Sequence, residues 1–353
     1  MSLFSSLSIR DVKLRNRIAV SPMCQYCSTD GFVNDWHFVH LGSRAVGGAA
    51  LVMTEASAIV PEGRISPKDL GIWKDDHIEG LARIAHFLRQ YGAVSGMQIA
   101  HAGRKASTAE PWKGGHALEE GEGGWRPIYA PSPIPFDSKS PAPQELTLEQ
   151  IARLVERFAE AADRVLRAGF QLLELHAAHG YLLHEFLSPL ANRRNDVYGG
   201  SFEGRIRLIC EVAGAVRKRW PERLPLFVRL SCVDWVEGGW TLEDTVALAR
   251  RLKALGADLI DCSSGAIVPG ITIPLGAGYQ VPFAERVRQE AQIMTGAVGL
   301  ITAPAQADTI IRSGQADLVL LARQMLRDPY WPLRAARELG QEPPRPNQYT
   351  RAW

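Results

Sequence analysis

Cysteine is scarce in this chain: Cys24, Cys27, Cys210, Cys232 and Cys262 are five residues in 353. An odd, sparse set argues against a disulfide framework, and free thiols fit a reducing compartment. Cys24 and Cys27 have the spacing of a redox pair, yet no thioredoxin-like strand–helix–strand unit surrounds them and no second pair completes a zinc site. An excess of one charge is also missing, since Lys and Arg number 40 against 38 Asp and Glu. That balance argues against nucleic acid or an anionic membrane as partner. No apolar run approaches the roughly 18 residues of a membrane span. Met1–Arg10 lacks a signal-peptide apolar stretch, so the cytoplasm is the expected compartment. Neither GxGxxG nor GxxxxGK[ST] occurs, which counts against a dinucleotide-binding doubly wound sheet.

What the chain does contain is a rhythm. Hydrophobic content of 46% and charged content of 22% are those of a globular protein. Short apolar runs recur at Arg17–Val20, Ala50–Met53, Val94–Ile99, Leu172–Leu175, Leu226–Leu230, Leu259–Asp261, Gln292–Thr295 and Asp317–Leu321. Segments with helical spacing lie between them, from Trp36–Val46 to Pro329–Leu339. Thr147 and Thr241 begin two of these, and Gly92, Gly169, Gly256 and Gly314 end four. RAGFQLLEL, ALGADLIDC and RSGQADLVLL repeat one helix-to-strand module. Eight such units predict an α/β fold, a (β/α)8 TIM barrel formed as a single domain over residues 1–353. Residues 101–146, rich in Gly and Pro with Trp112, Trp125 and Tyr129, are too long for an ordinary connection. They are expected to cap the barrel mouth as an insertion after strand three.

In a barrel the chemistry sits at the carboxyl ends of the strands. Strand four ends LHAAHGY, so His176, His179 and Tyr181 emerge together beside a turn glycine. All three donate hydrogen bonds, and Tyr can deliver a proton, which suits a substrate oxygen that gains negative charge. Gly296, Gly299 and Ala322 with Arg323 suit a phosphate after strands seven and eight, where close backbone and a guanidinium can meet it. With Gln98 and Arg229 they describe a phosphorylated cofactor across the mouth. FMN fits better than a dinucleotide. Cys24 would lie beside the flavin ring, either tuning it or filling space as a small apolar residue.

SPMCQY (21–26), WHFVHLGSRAVGG (36–48), QIAHAGRKA (98–106), ELHAAHGYLLHEFLSPLANRRNDVYGGSFEGR (174–205), RLSCVDW (229–235) and DLVLLAR (317–323) together resemble the old yellow enzyme family. The match covers essentially the whole chain and is nearest to the thermophilic-like ene-reductases. The resemblance implies an FMN-dependent NAD(P)H oxidoreductase that reduces the C=C bond of α,β-unsaturated carbonyls and other electron-poor acceptors, with hydride supplied from flavin N5. It implies that Ser21, Pro22, Met23 and Cys24 contact the flavin ring. Ala56, Gln98 and Arg229 would hold its pyrimidine side, and Gly299, Ala322 and Arg323 its phosphate. His176 and His179 would bind the carbonyl oxygen, Tyr181 would donate the proton, and Tyr26 would line the pocket. NADPH is the expected reductant, with NADH as the alternative. The stretch VGL (298–300) departs from a tryptophan found there in a member of the subgroup.

Two other readings compete. One is a barrel metallohydrolase with His176, His179 and His184 as ligands, although no carboxylate set clusters at the neighbouring strand ends. The other is a non-catalytic flavin protein that senses redox state through Cys24 and Cys27. The tail, Asn347–Trp353, follows a Pro-rich run and is expected not to be helical. Tyr349, Arg351 and Trp353 are types enriched at interfaces. The resemblance gives Arg351 a place in a neighbouring subunit's substrate pocket, in a homodimer or homotetramer.

Overall fold

The computed structural model describes residues 1–353. Eight parallel strands close into a barrel: β1 (Ile18–Val20), β2 (Leu51–Ala58), β3 (Val94–Ala100), β4 (Leu172–Ala177), β5 (Leu226–Ser231), β6 (Leu259–Ser263), β7 (Met294–Ala297) and β8 (Leu318–Leu321). Each lies beside its neighbour in sequence, and β8 returns to β1 with Leu320 opposite Ala19. The main helices are α1 (Asp35–Val46), α2 (Ile78–Gln90), α3 (Leu148–Arg167), α4 (Phe202–Arg219), α5 (Leu242–Ala254), α6 (Val281–Ala291), α7 (Pro304–Arg312) and α8 (Trp331–Glu338). This is the (β/α)8 barrel that the rhythm of the sequence implies. Its strands are apolar runs rather than alternating ones because both faces of a parallel sheet are covered.

Local chemistry explains the helix ends. Thr147 Oγ1 accepts the Gln150 amide at 3.2 Å, and Gln150 Oε1 accepts the Thr147 amide at 2.8 Å, so two of the free amides that open α3 are satisfied. Along α3, Ile151, Leu154, Phe158 and Val165 share one buried face. Each contributes about 1.5–3 kcal/mol of burial energy against the barrel wall. Gly92, Gly169, Gly256 and Gly314 all take positive φ just past a helix.

Some boundaries differ from the expected ones. Strand seven begins at Met294 rather than Gln292, because Gln292 takes a left-handed φ of +53° that terminates α6. Gly296 therefore lies inside β7, opposite Leu318 and Asp261, rather than in a phosphate loop. A Cβ there would overlap the Leu320 side chain, so its smallness serves packing. In the tail Asn347–Tyr349 forms one 3-10 turn, with Pro346 just before it where no amide donor is needed.

Two further pieces lie outside the ring of strands and main helices. A hairpin of Leu7–Ile9 and Val12–Leu14 buries alternate residues at the amino end of the strands. Arg10 pairs there with Asp258 at 2.6 Å, and the Asp11 amide donates to Arg223 O. The 101–146 segment, which follows β3, is tied down by Arg64, whose guanidinium lies 5.3 Å from the Trp73 ring and 4.9 Å from the Trp125 ring. Trp125 also donates from Nε1 to Glu62 O at 3.1 Å.

Candidate active site

At the end of β4 the chain turns through His179 and Gly180, with φ of +60° and +73°, and Tyr181 then precedes a short helix, Leu182–Leu187. The turn brings three rings together. His176 meets His179 edge to face with centroids 5.2 Å apart, and meets Tyr181 in the same way at 5.0 Å. His176 Nδ1 accepts the Ala178 amide at 3.3 Å, so a neutral ring carries its proton on Nε2 and offers a donor. Burial, and then the Arg229 charge, holds both imidazoles well below their usual pKa. They are therefore neutral at neutral pH. Burial also pushes the Tyr181 phenol well above its ordinary value, with Cys24, Tyr26 and Asp69 adding to it. The group keeps its proton until something basic is generated beside it.

The loop after β1 carries Cys24 and Tyr26, held by the Gln25 amide donating to Glu55 Oε2 at 3.0 Å. Cys24 is enclosed by protein yet still partly reachable from the open mouth. Loss of solvent, then the Asp69 and Glu55 charges, raise its thiol well above the usual range, so it is a thiol rather than a thiolate. The Tyr26 ring meets Trp112 of the mouth segment edge-on at 5.7 Å. Tyr26 and Tyr181 line one cavity of about 640 Å³, which Lys105 and Phe136 also border.

Under the mouth, Gln98 Nε2 donates to Glu174 Oε1 at 2.8 Å, and Arg229 Nε lies 3.1 Å from Asp261 Oδ2. Four adjacent strands supply these buried groups. Two carboxyl groups thus share one guanidinium away from water. Burial, with the Asp261 charge, pushes Glu174 up to about 8, so it holds its proton at neutral pH. A second cavity, of about 160 Å³, runs from Arg229 and Ser263 to Gly299, Ala322 and Arg323. Ser21 Oγ is buried with no hydrogen-bond partner, and Ala56 borders a narrow gap beside Tyr181. Pro22 and Met23 are half-buried in the same loop as Cys24. Arg351 is apart from all of these: it is exposed, on a tail whose Tyr349 hydroxyl lies 3.3 Å from that of Tyr330.

Two groups escaped the sequence reading, and a third has a different place from the one weighed for it. Lys105 Nζ donates to His179 O at 2.8 Å and to Ala266 O, and lies 5.6 Å from the Tyr181 ring centre. Burial lowers its pKa to about 8. Its signal was a lysine just after strand three. Ser263, with Oγ 2.6 Å from His179 Nε2, was visible only as one of two serines ending strand six. His184, weighed as a metal ligand, instead accepts the Gly180 amide on Nδ1 at 2.8 Å and has Nε2 3.0 Å from Asp234 Oδ1. No group of three or more His, Cys, Asp or Glu side chains is placed to hold a metal ion.

A sequence model of the NADH:flavin oxidoreductase / NADH oxidase family matches residues 2–342. The chain belongs to that family. An NADPH dehydrogenase of Geobacillus sp. (strain WCH70) is 50% identical over 99% of this chain and 98% of its own. Among solved structures, morphinone reductase superposes with a TM-score of 0.81 at 26% identity, covering 97% of this chain and 90% of that one. The Old Yellow Enzyme of Pichia sp. AKU4542 shares the fold, with a TM-score of 0.79 at 24% identity over 96% of this chain and 87% of its own. The flavin oxidoreductase assignment makes the protein an enzyme of the old yellow enzyme type with FMN as cofactor. The residues present fit a flavin. A buried guanidinium, a buried amide and an unpartnered serine hydroxyl face the mouth, and a further cavity ends at Arg323.

Proposed function

We propose that this flavin oxidoreductase is an ene-reductase that takes electrons from NADPH and reduces the C=C bond of α,β-unsaturated carbonyl compounds and related electron-poor acceptors. When bound, FMN supplies the hydride that reaches the β carbon of the acceptor. The observation that supports this reading most is the convergence of two neutral imidazoles and an un-ionised phenol at the end of β4. His176 and His179 donate to the carbonyl oxygen, where negative charge develops, and Tyr181 gives its proton to the α carbon. Neutral donors are what this site can hold, because burial and the nearby Arg229 charge both oppose a charged imidazolium.

Ser21, Pro22, Met23, Ala56, Gln98 and Arg229 are assigned to the ring, with Arg229 opposing the charge gained on reduction. Gly299, Ala322 and Arg323 are assigned to the phosphate, and Tyr26 to the pocket wall. Cys24 meets the ring as a thiol. Residues 101–146 act as a cap within one domain. Purified protein should be yellow, bleach with NADPH in the absence of oxygen, and recolour on addition of cyclohexenone. A colourless preparation containing zinc would overturn the reading in favour of the hydrolase.

The catalytic unit is a homodimer, or a pair of them, in which Arg351 of one protomer reaches the pocket of its neighbour. No helix here is long and apolar enough to cross a membrane, and the substrate is a small molecule. Removing residues 349–353 should raise the KM for cyclohexenone about tenfold, the loss of one charged contact, and lower the mass seen by light scattering. Unchanged kinetics with an unchanged mass would show that the tail plays no part.

A further inference from the structure

Every amide of the His179–Tyr181 turn is spoken for. The His179 amide donates to Ser231 Oγ at 2.9 Å, the Gly180 amide to His184 Nδ1 at 2.8 Å and the Tyr181 amide to Ala178 O at 3.2 Å. The turn needs this support, because His179 is a side-chain-bearing residue at φ +60°. Gly180 cannot be replaced, since a Cβ would run into Ala266 O. Of the three bonds, the one to His184 depends on a proton's location. An imidazole can accept on Nδ1 only if that nitrogen is bare, so a neutral His184 must carry its proton on Nε2.

Asp234 sits where that proton has to be. Its Oδ1 lies 3.0 Å from His184 Nε2, somewhat off the N–H axis, and both side chains are fully buried. Its Oδ2 accepts Ser188 Oγ at 2.6 Å and the Trp240 amide at 2.7 Å. Burial works against the Asp234 charge, but His184, Ser188 and the Trp240 amide outweigh it, and the carboxyl stays below its ordinary pKa. A carboxylate in this pocket stabilises one His184 tautomer and disfavours the other.

We propose that Asp234 and His184 are positioning residues: the carboxylate fixes His184 in the tautomer that accepts the Gly180 amide, and this bond sets the left-handed turn that aims His179 and Tyr181. Neither residue touches substrate. The proposal rests on the reading of Tyr181 as proton donor, and the mechanism so far leaves both groups without a task.

Asp234→Asn separates this from a purely structural role, because an amide cannot satisfy the pocket in either orientation. If its oxygen faces His184, its NH₂ confronts the Trp240 amide, donor against donor. If its NH₂ faces His184 Nε2, the imidazole must carry its proton on Nδ1 and confront the Gly180 amide. In D234N holoenzyme, stopped-flow reoxidation of the reduced flavin by cyclohexenone should slow about 10²-fold, the effect of a displacement near 1 Å. Reduction by NADPH and FMN content should stay within about twofold, a factor worth under 0.5 kcal/mol. Nitrogen-15 histidine spectra should show the Nε2–H form of His184 lost or mixed.

Equal slowing of both half-reactions, or a changed tautomer with unchanged reoxidation, overturns the proposal. A second pair of variants decides the matter if D234N folds poorly. His184→Asn keeps an oxygen near the position of Nδ1 and should reoxidise at least tenfold faster than His184→Leu, whereas equal rates overturn the proposal. Tyr181→Phe, run in parallel, tells the two readings apart. Slow reoxidation in Y181F with normal D234N sinks the positioning role of Asp234 and His184 alone, and normal Y181F sinks both.

Discussion

Tyr181→Phe should slow reoxidation of the reduced enzyme by cyclohexenone by about 10²–10⁴-fold, the usual worth of a positioned general acid. Reduction by NADPH, which in the proposed mechanism requires no proton from this phenol, should change little. The asymmetry follows from where charge appears. In the proposed reaction, hydride addition leaves negative charge on the carbonyl oxygen and a basic α carbon, and only then would a phenol held well above its ordinary pKa become a useful acid. Substituting both His176 and His179 by Ala should raise the cyclohexenone KM as well as lower the rate, because in the proposed role the imidazoles contact the oxygen before and after charge develops. A nitroalkene, whose protonation can occur in bulk water, should lose less in Y181F than cyclohexenone does. Equal losses for the two acceptors would place the proton donor elsewhere.

The second large effect concerns Arg229. Arg229→Met leaves Asp261 fully buried, with both oxygens lacking any other partner. Breaking a buried pair from one side costs about 3–5 kcal/mol. The protein should purify without FMN and melt at a lower temperature. The deficit has a pH dependence whose sign can be worked out. Burial already raises Asp261, and Arg229 is what opposes that rise. Without the guanidinium the native pKa climbs further above the unfolded value of about 3.9. The native state then binds more protons than the unfolded one, so stability falls as pH rises between those two values. R229M should therefore approach the wild type in melting temperature as pH is lowered towards 5. The double variant R229M/D261N should recover much of the stability at neutral pH while still lacking flavin. A double variant as unstable as R229M would mean that the cost lies in packing rather than in the stranded carboxylate.

The sequence made some of this legible and hid the rest for physical reasons. His176, His179 and Tyr181 could be found because six residues on one strand end carry them, and local chain geometry alone brings them together. The barrel was legible because each βα unit repeats a local pattern of cap, apolar face and glycine stop. Lys105 was harder. Its meaning depends on the carbonyls of His179 and Ala266, which folding brings to it from distant parts of the chain. The same is true of His184 and Asp234, which are ordinary residues until a carboxylate 50 positions away meets the imidazole. The start of β7 was misplaced because Gln292 gives no sign of its left-handed backbone, which the end of α6 imposes on it. Gly296 was read for its nearness to a loop, whereas the neighbouring Leu320 side chain is what requires a glycine.

The seam between β8 and β1 also orders events during synthesis. Ile18–Val20 must wait for Val319–Leu321 to pair on one of its two edges, since those residues complete the ring. At ribosomal rates of roughly 5–20 residues per second, some 15–60 s separate the two segments. Any sheet that the strands form before β8 is made has an unpaired β1 edge, the kind of surface on which other chains add strands. Cellular yield should therefore respond to translation speed and to chaperones that shield strand edges more than to changes in the barrel's finished stability.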